Sequence, residues 1–146
     1  VSNIAGIKEA SGDMNQCMQI LRDKPASFAV VSGDDALVLP QIACGMDGVI
    51  SVAANAFPKE FSQMVRSCLI GDLKKARTIN DSLLEAYDLM FSENNPAGVK
   101  AMMSEMGLID NEFRLPVVPV SQPLGEKIKG YVRRFKKKPE PSLQSM

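Results

Sequence analysis

The segment IAGIKEASGD, residues 4–13, sets out the first strand-helix unit of the chain. Residues 4–7 are the apolar body of a short strand that is predicted to be buried, and Lys8 follows without a break. The turn-like residues 11–13 close the segment, and Asp13 is the predicted N-cap of the helix that comes next. A lysine in this position needs an explanation, because removing an ammonium group from water is costly.

The same alternation of strand and helix continues after this segment. SFAVVSGDD (27–35) and GVISVAAN (48–55) have the pattern of two further strands, and ALVLPQIACG (36–45) between them predicts a short helix that Pro40 interrupts or kinks. Strands separated by helices indicate βαβ units with a parallel sheet that is buried on both faces. From Pro58 onwards the apolar spacing becomes helical. The pattern therefore predicts an α/β fold, a piece of an α/β barrel that is followed by consecutive helices.

Composition is typical of a soluble, globular, cytoplasmic protein. Apolar residues make up 45% of the 146 positions, charged residues make up 23%, and the formal net charge is zero. There is neither an apolar run long enough for a transmembrane helix nor a visible signal peptide, so no membrane association is expected. Because the chain opens on Val1 and soon enters a strand, we expect it to be part of a longer protein.

The chain contains no histidine, which excludes several kinds of site. Cys-His and Ser-His-Asp catalysis and imidazole metal sites are all ruled out. Three cysteines, Cys17, Cys44 and Cys68, are widely spaced in apolar patterns without a CxxC motif, and are predicted to be reduced and mostly buried. We expect neither a metal nor a cofactor, so any chemistry must use Lys, Asp, Glu, Tyr, Ser or main-chain groups.

The C-terminal part is basic, and RRFKKK (133–138) is its densest cluster. Such a cluster is typical either of a nucleic-acid contact or of a solvated helix end whose cations face the helix dipole. The second interpretation is favoured because no stacking aromatics or recognition motif accompany the cluster. No nucleic-acid partner is therefore expected, and the polar, proline-rich residues 139–146 are predicted to be a disordered tail.

Lys8 is the candidate catalytic residue. Strand alternation places Gly6, Lys8 and Ala10 on one face, which leaves open space around the ammonium group. A partly desolvated lysine has a lowered pKa, and its neutral amine can attack a ketone to form an imine, whose adjacent carbon becomes acidic and yields an enamine. The alternative, which the local pattern alone favours, is a structural lysine paired with an acid at the end of the sheet.

The next two strands end in small or polar residues that could join Lys8. In parallel α/β barrels the working face lies at the carboxyl ends of the strands. Gly33 would let a ligand approach the backbone closely, and Ile50 could offer main-chain groups. Asp34 and Asp35 are candidate general bases, although capping the helix that begins near Ala36 is the favoured role.

Four motifs in order, GIKEASGD (6–13), VVSGDDALVLP (30–40), GMDGVISVAAN (45–55) and ENNPAGVKAMM with RLPVVPV (93–120), resemble the C-terminal half of the dihydrodipicolinate synthase family. This family belongs to the pyruvate-dependent N-acetylneuraminate lyase superfamily. The resemblance implies a (β/α)8 TIM barrel, of which this chain holds about the last three strands, with a C-terminal helical region. The predicted parts are residues 1–57 of the barrel, residues 58–138 with the closing barrel helix and the helical region, and the tail 139–146.

The resemblance also implies an activity and its residues. Family members, usually homotetramers, condense pyruvate with aspartate-4-semialdehyde on the route to diaminopimelate and lysine. Lys8 matches the lysine that forms the Schiff base with pyruvate, the main chain of Ile50 matches a contact to the pyruvate moiety, and Gly33 matches a glycine that lines the pocket. NPAG (95–98) departs from the family pattern, which often has a second proline there.

Other family residues have no counterpart in this chain. The threonine and two tyrosines of the proton relay, and the arginine that binds the semialdehyde carboxylate, belong to the N-terminal half, and Tyr87 and Tyr131 do not replace them. Four interpretations stay open: a truncated lyase inactive alone, a lyase rebuilt with a complementary chain, a sibling pyruvate-dependent aldolase that uses another aldehyde, and a non-catalytic oligomerisation or interaction fragment.

Overall fold

The computed structural model describes residues 2–137. The chain divides into two compact units, Val1–Tyr87 and Asp88–Met146. In chain order the elements are β1 (Gly6–Glu9), α1 (Met14–Asp23), β2 (Ala29–Ser32), α2 (Val38–Ala43), β3 (Gly48–Val49), a 3-10 turn (Ala53–Asn55), α3 (Pro58–Leu69), α4 (Leu73–Phe91), α5 (Ala97–Met106) and α6 (Gln122–Lys137). The sequence-based boundaries after residues 57 and 138 stay predictions, and the predicted tail 139–146 lies outside the described residues.

The three strands form one parallel sheet in the order β1-β2-β3. Lys8 is paired in register with Val31, and Val31 with Gly48. The helices α1 and α2 form the crossovers between these strands, as the alternating pattern predicted. Consecutive helices then follow, so the described part of the chain has an α/β arrangement that continues into an all-helical part.

Helix α1 begins where its capping signal predicted. Asp13 Oδ1 accepts hydrogen bonds from the main-chain N–H groups of Asn15 at 2.8 Å and Gln16 at 3.3 Å. These bonds satisfy donors that the first turn of a helix leaves free. The only buried residue of α1 is Cys17, which faces the sheet side of the helix and contacts β1.

Helix α2 corrects the interpretation of Pro40. The helix begins at Val38, later than the sequence suggested, so Pro40 lies in its first turn. A first-turn residue has no intrahelical acceptor for its N–H group, and a proline there interrupts nothing. The helix buries Val38, Gln41 and Ile42.

Within residues 2–137 the sheet is covered on one face only, which corrects the prediction that both faces are buried. The covered face carries Glu9, Val30 and Ser32, all of them buried, and it receives Cys17 and Gln41 from the two crossover helices. On the opposite face Lys8 and Ile50 are exposed. The covered face forms part of the core of the first unit, whereas the open face is the side on which the predicted site residues lie.

The rest of the first unit is closed by α3 and the larger part of α4. The rings of Phe61 and Tyr87 meet edge to face, with centroids 6.2 Å apart, and both side chains are buried. This aromatic arrangement adds a directional contact to apolar burial. Other buried apolar side chains of these two helices within the first unit are Met64, Cys68, Ala76, Leu83 and Ala86.

The second unit is built mainly on α5 and α6. α6 buries Leu124, Ile128, Tyr131 and Val132 on one face, at helical spacing. Its cationic end is mostly exposed, and Lys136 Nζ donates hydrogen bonds to the carbonyl oxygens of Glu105 and Met106 at the C-terminal end of α5. Within residues 2–137, no helix is long and apolar enough to cross a membrane.

Candidate active site

Lys8 lies on β1 with its side chain exposed, which corrects the prediction of a partly buried lysine. The error has a simple reason: the residues sharing its face of the sheet are small or exposed, and no described element of the chain packs over them. Lys8 forms no ion pair among residues 2–137. Residues 2–137 therefore do not support the structural alternative, in which an acid at the end of the sheet neutralises Lys8.

Gly33 lies directly beside the Lys8 side chain. A Cβ atom added to Gly33 would lie 2.7 Å from Lys8 Cε, 2.6 Å from Ala10 Cβ and 3.2 Å from the carbonyl oxygen of Glu9. The main-chain N–H of Gly33 also donates a hydrogen bond of 2.6 Å to that carbonyl oxygen. The absence of a side chain at residue 33 thus makes room for the aliphatic part of the lysine.

Ile50 follows β3 and is held at the carboxyl end of the sheet. Its N–H donates to the carbonyl oxygen of Ser32 at 2.9 Å, which continues the parallel pairing one residue beyond β3. Its side chain is 57% exposed. Alternation along the paired strands puts Lys8, Val31, Gly33, Gly48 and Ile50 on the same open face.

The two aspartates that follow Gly33 serve different loops. Asp34 Oδ1 accepts from the N–H groups of Ala36 at 3.0 Å and Leu37 at 3.3 Å, and so caps the turn that leads into α2. Asp35 Oδ2 accepts from the N–H groups of Val52 at 3.0 Å and Ala53 at 2.7 Å, across the sheet end. The favoured capping role fits Asp34, but Asp35 caps the 3-10 turn instead of α2.

Burial raises the pKa of Asp35. Hydrogen bonds from Ser51 and from the main chain of Ala53 and Val52 have the opposite effect and offset part of this rise. The carboxyl group is almost fully buried, with 2% of the residue exposed. Desolvation disfavours the charged form of an acid, so the burial effect prevails over its hydrogen bonds. Sequence reasoning missed the bridge to Val52 and Ala53, because its partners lie in the next strand-helix connection.

A buried polar cluster lies on the reverse face, behind Lys8. The Glu9 carboxylate accepts hydrogen bonds from Ser11 N at 2.8 Å, Gln16 Nε2 at 3.1 Å and Cys17 Sγ at 2.9 Å. Burial opposes the charge of Glu9, yet these donors together leave its pKa below the usual value. The cluster connects Glu9 to helix α1, on the face opposite to Lys8, as strand alternation predicts.

The same cluster makes Cys17 a poor nucleophile. Burial, followed by the hydrogen bond and charge of Glu9, raises the pKa of the Cys17 thiol to about 11. A thiol with this pKa is protonated at neutral pH and reacts slowly. Cys68 is also buried, whereas Cys44 is exposed, which corrects the prediction for that residue.

Comparisons with known proteins agree on one family. A family model described as the dihydrodipicolinate synthetase family matches residues 1–134. A 4-hydroxy-tetrahydrodipicolinate synthase of Phocaeicola vulgatus is 49% identical over 134 residues, which cover 92% of this chain and 45% of that protein.

Solved structures extend the comparison to the fold. The crystal structure of dihydrodipicolinate synthase from Aquifex aeolicus superposes with a TM-score of 0.89 at 36% identity, over 92% of this chain and 46% of that one. A chloride-inhibited dihydrodipicolinate synthase from Acinetobacter baumannii, complexed with pyruvate, gives a TM-score of 0.86 at 35% identity, over 90% and 45% of the two chains. The chain thus spans about half the length of the relatives it matches.

Proposed function

The chain belongs to the dihydrodipicolinate synthetase family, and from this membership we propose that it carries the imine-forming part of a pyruvate-dependent lyase. Lys8 is the catalytic residue of this proposal, and Gly33 and Ile50 bind the substrate. The observation that carries it is the space beside Gly33, because a side chain there would collide with Lys8 Cε. Lys8 is exposed on the open face of the sheet and is accessible to a small keto acid.

The proposed reaction begins at the Lys8 amine. Its neutral Nζ attacks the C2 carbonyl carbon of pyruvate, a C–N bond forms, and the carbonyl oxygen leaves as water to give a protonated imine. The imine withdraws electrons from C3, which loses a proton and becomes an enamine carbon. That carbon attacks the aldehyde carbon of the second substrate, a C–C bond forms as the C=O π bond breaks, and the aldehyde oxygen takes up a proton to become a hydroxyl group. Water then releases the product from Lys8.

Aspartate-4-semialdehyde is the proposed second substrate, in the route to diaminopimelate and lysine. Support comes from relatives named 4-hydroxy-tetrahydrodipicolinate synthase that are almost half identical to this chain. A comparison of the rates with this aldehyde and with unrelated aldehydes would separate it from a sibling aldolase. The reaction needs no metal or cofactor, because the lysine imine itself stabilises the carbanion.

The proposed architecture is three parallel strands of a (β/α)8 barrel, followed by a C-terminal helical region. The open face of the sheet, with Lys8 and Ile50, would face the barrel interior. A complementary barrel half would then supply the groups that move protons and bind the aldehyde substrate. We further propose a cytoplasmic homo-oligomer, a tetramer as in the family.

Reductive trapping tests this function directly. The chain is incubated with pyruvate and sodium borohydride, digested, and analysed by mass spectrometry for a reduced pyruvate adduct on the peptide that contains Lys8. We expect the adduct in the wild-type chain and in Lys24→Arg, and its loss in Lys8→Arg, because a guanidinium group does not form an imine. Lys24 is the matched control, a lysine of the same unit that is paired with Asp47 at 2.8 Å.

The outcome that contradicts the proposal is also clear. An intact fold with no adduct, or an adduct that persists in Lys8→Arg, would show that Lys8 does not form the imine in this chain.

A further inference from the structure

The Asp35 carboxylate connects the two loops that carry the proposed substrate-binding residues. It lies in the loop after β2, and its Oδ2 atom accepts from Val52 N and Ala53 N in the loop after β3, at 3.0 and 2.7 Å. The residue is buried to 98%, because only 2% of it is exposed. A buried acid is costly unless hydrogen bonds compensate it, so this bridge is an organised feature of the sheet end.

Both ends of the bridge are two residues away from a proposed binding residue. Gly33 precedes Asp35 by two positions, and Ile50 precedes Val52 by two. Ile50 N is itself paired with the carbonyl oxygen of Ser32 at 2.9 Å, which fixes the start of the segment. The carboxylate fixes its far end. The main chain of residues 50–53 is therefore held by three hydrogen bonds, one to the carbonyl oxygen of Ser32 in β2 and two to the Asp35 carboxylate in the loop after it.

The neighbouring carboxylate does not duplicate this bridge. Asp34 accepts from Ala36 N and Leu37 N within its own loop, and it also pairs with the Ser32 hydroxyl through main-chain groups. Those contacts shape the turn into α2. The connection to the main chain of Val52 and Ala53 comes from Asp35.

We propose that Asp35 is a positioning residue for the keto acid: it holds the main chain of residues 50–53 at the place where the substrate carboxylate or carbonyl would contact it. This inference rests on the proposed function of Lys8. Asp35 does not touch the substrate in this arrangement, because its carboxylate is buried and points at Val52 and Ala53. Its effect is on keto-acid affinity, whereas Lys8 performs the covalent step.

The test measures the rate of borohydride trapping as a function of pyruvate concentration. In Asp35→Ala the hydrogen bonds from Val52 N and Ala53 N are lost, and we expect the half-saturating pyruvate concentration to rise about tenfold, with the saturating rate changed less than about twofold. Asp35→Asn keeps an acceptor oxygen, so it should stay within about threefold of the wild type. Hydrogen exchange at the Val52 and Ala53 amides should accelerate in Asp35→Ala alone.

Asp47→Ala is the matched control. Asp47 Oδ2 also accepts from a main-chain N–H of the neighbouring strand, Val30 N at 2.8 Å, but at the amino end of the sheet. The alanine removes a bond of the same kind far along the strands from Ile50. We expect the half-saturating pyruvate concentration of Asp47→Ala to equal that of the wild type.

The results separate the two proposals. An unchanged half-saturating concentration in folded Asp35→Ala, or a fall in the saturating rate alone, overturns the positioning role while Lys8 chemistry stands. Absence of trapping in the wild-type chain overturns the proposed function and the positioning role together. If circular dichroism shows Asp35→Ala to be unfolded, Asp35→Glu replaces it, because the extra methylene group displaces the acceptor oxygen. A raised half-saturating pyruvate concentration in Asp35→Glu supports the inference, and a value equal to that of the wild type overturns it.

Discussion

Gly33 gives the Lys8 side chain its place on the sheet: a Cβ atom at residue 33 would lie 2.7 Å from Lys8 Cε. The same atom would lie 2.6 Å from Ala10 Cβ, and Cβ atoms do not approach other carbons so closely. The lysine end can move away, but Ala10 and the strand backbone cannot do so without shifting the pairing of β1 with β2. The glycine is therefore a steric requirement of the packing of residue 33 against Ala10 and the strand backbone, and it leaves room beside them for the Lys8 side chain.

Gly33→Ala should displace Lys8 and weaken imine formation. We expect the trapping rate with pyruvate to fall at least about tenfold, and the free energy of unfolding to fall by about 1–3 kcal/mol, because the added methyl group overpacks the contact with Ala10. Borohydride trapping and urea denaturation measure the two effects separately.

Gly48→Ala is the control for this substitution. Gly48 shares the open face of the sheet, and nothing lies within 4 Å of a Cβ atom built there. It should trap pyruvate at the wild-type rate. Equal trapping by Gly33→Ala and Gly48→Ala would contradict the steric role of Gly33.

Local signals in the sequence predicted the local structure well. The Asp13 cap was predictable because its acceptor and donors lie within three residues. The order of strands and helices followed from the change of apolar spacing. Pro40 was misjudged because its effect depends on where α2 begins, and a shift of two residues turns a helix breaker into a first-turn residue.

The sequence pattern could not predict which side chains are buried or which hydrogen bonds join separate loops. Lys8 is exposed because no described element covers its face of the sheet, and such coverage is decided by tertiary packing and not by the strand itself. The link from Asp35 to Val52 and Ala53 joins residues of separate loops, for which no periodicity exists. Strand alternation made Lys8 a candidate for imine chemistry, whereas the specific roles of Lys8, Gly33 and Ile50 toward pyruvate came from the family resemblance, and all of these stay predictions.

The three thiols should differ sharply in alkylation. Cys44 is exposed, Cys17 and Cys68 are buried, and burial raises the pKa of Cys68 and, with Glu9, that of Cys17 to about 11. With iodoacetamide at pH 8, we expect Cys44 to react first and Cys17 at least about a hundredfold more slowly. Peptide mass spectrometry over time measures this. In urea all three should react at similar rates, and equal rates for Cys17 and Cys44 in the native chain would contradict the buried Glu9–Cys17 contact.

Gly98→Ala should destabilise the second unit. A Cβ atom on Gly98 would lie 2.1 Å from the carbonyl oxygen of Met90 and 2.7 Å from its carbonyl carbon, and this main-chain group cannot rotate away. We expect a loss of about 3 kcal/mol in the free energy of unfolding, measured by urea denaturation. Gly125→Ala is the control, because the nearest atom to its Cβ is 4.0 Å away. That substitution lies in α6 and should be neutral or slightly stabilising; equal losses in both variants would contradict the Met90 contact.

Asp35 should make the chain less stable as the pH rises. Burial raises its pKa in the folded state, so the folded chain binds this proton more tightly than the unfolded chain. The associated stability is fully present below the unfolded pKa of about 4, and it is lost as the pH rises through the folded pKa. Asp35→Asn does not titrate. Its free energy of unfolding, measured relative to the wild type in urea, should therefore increase with pH above about 4 and level off once Asp35 is ionised.

Asp47 is the internal control, because its contribution to stability should change with pH in the direction opposite to that of Asp35. The hydrogen bond from Lys24, together with that from Val30 N, lowers the pKa of Asp47. Its contribution to stability is present above the unfolded pKa and is lost as the pH falls through the folded pKa. Asp47→Asn should therefore become less stable relative to the wild type as the pH rises through the region below about 4. A buried acid with a raised pKa and an ion-paired acid with a lowered pKa must affect stability in opposite directions as the pH changes. If the free energies of unfolding of Asp35→Asn and Asp47→Asn, each relative to the wild type, changed with pH in the same direction, the surroundings described for at least one of the two aspartates would be wrong.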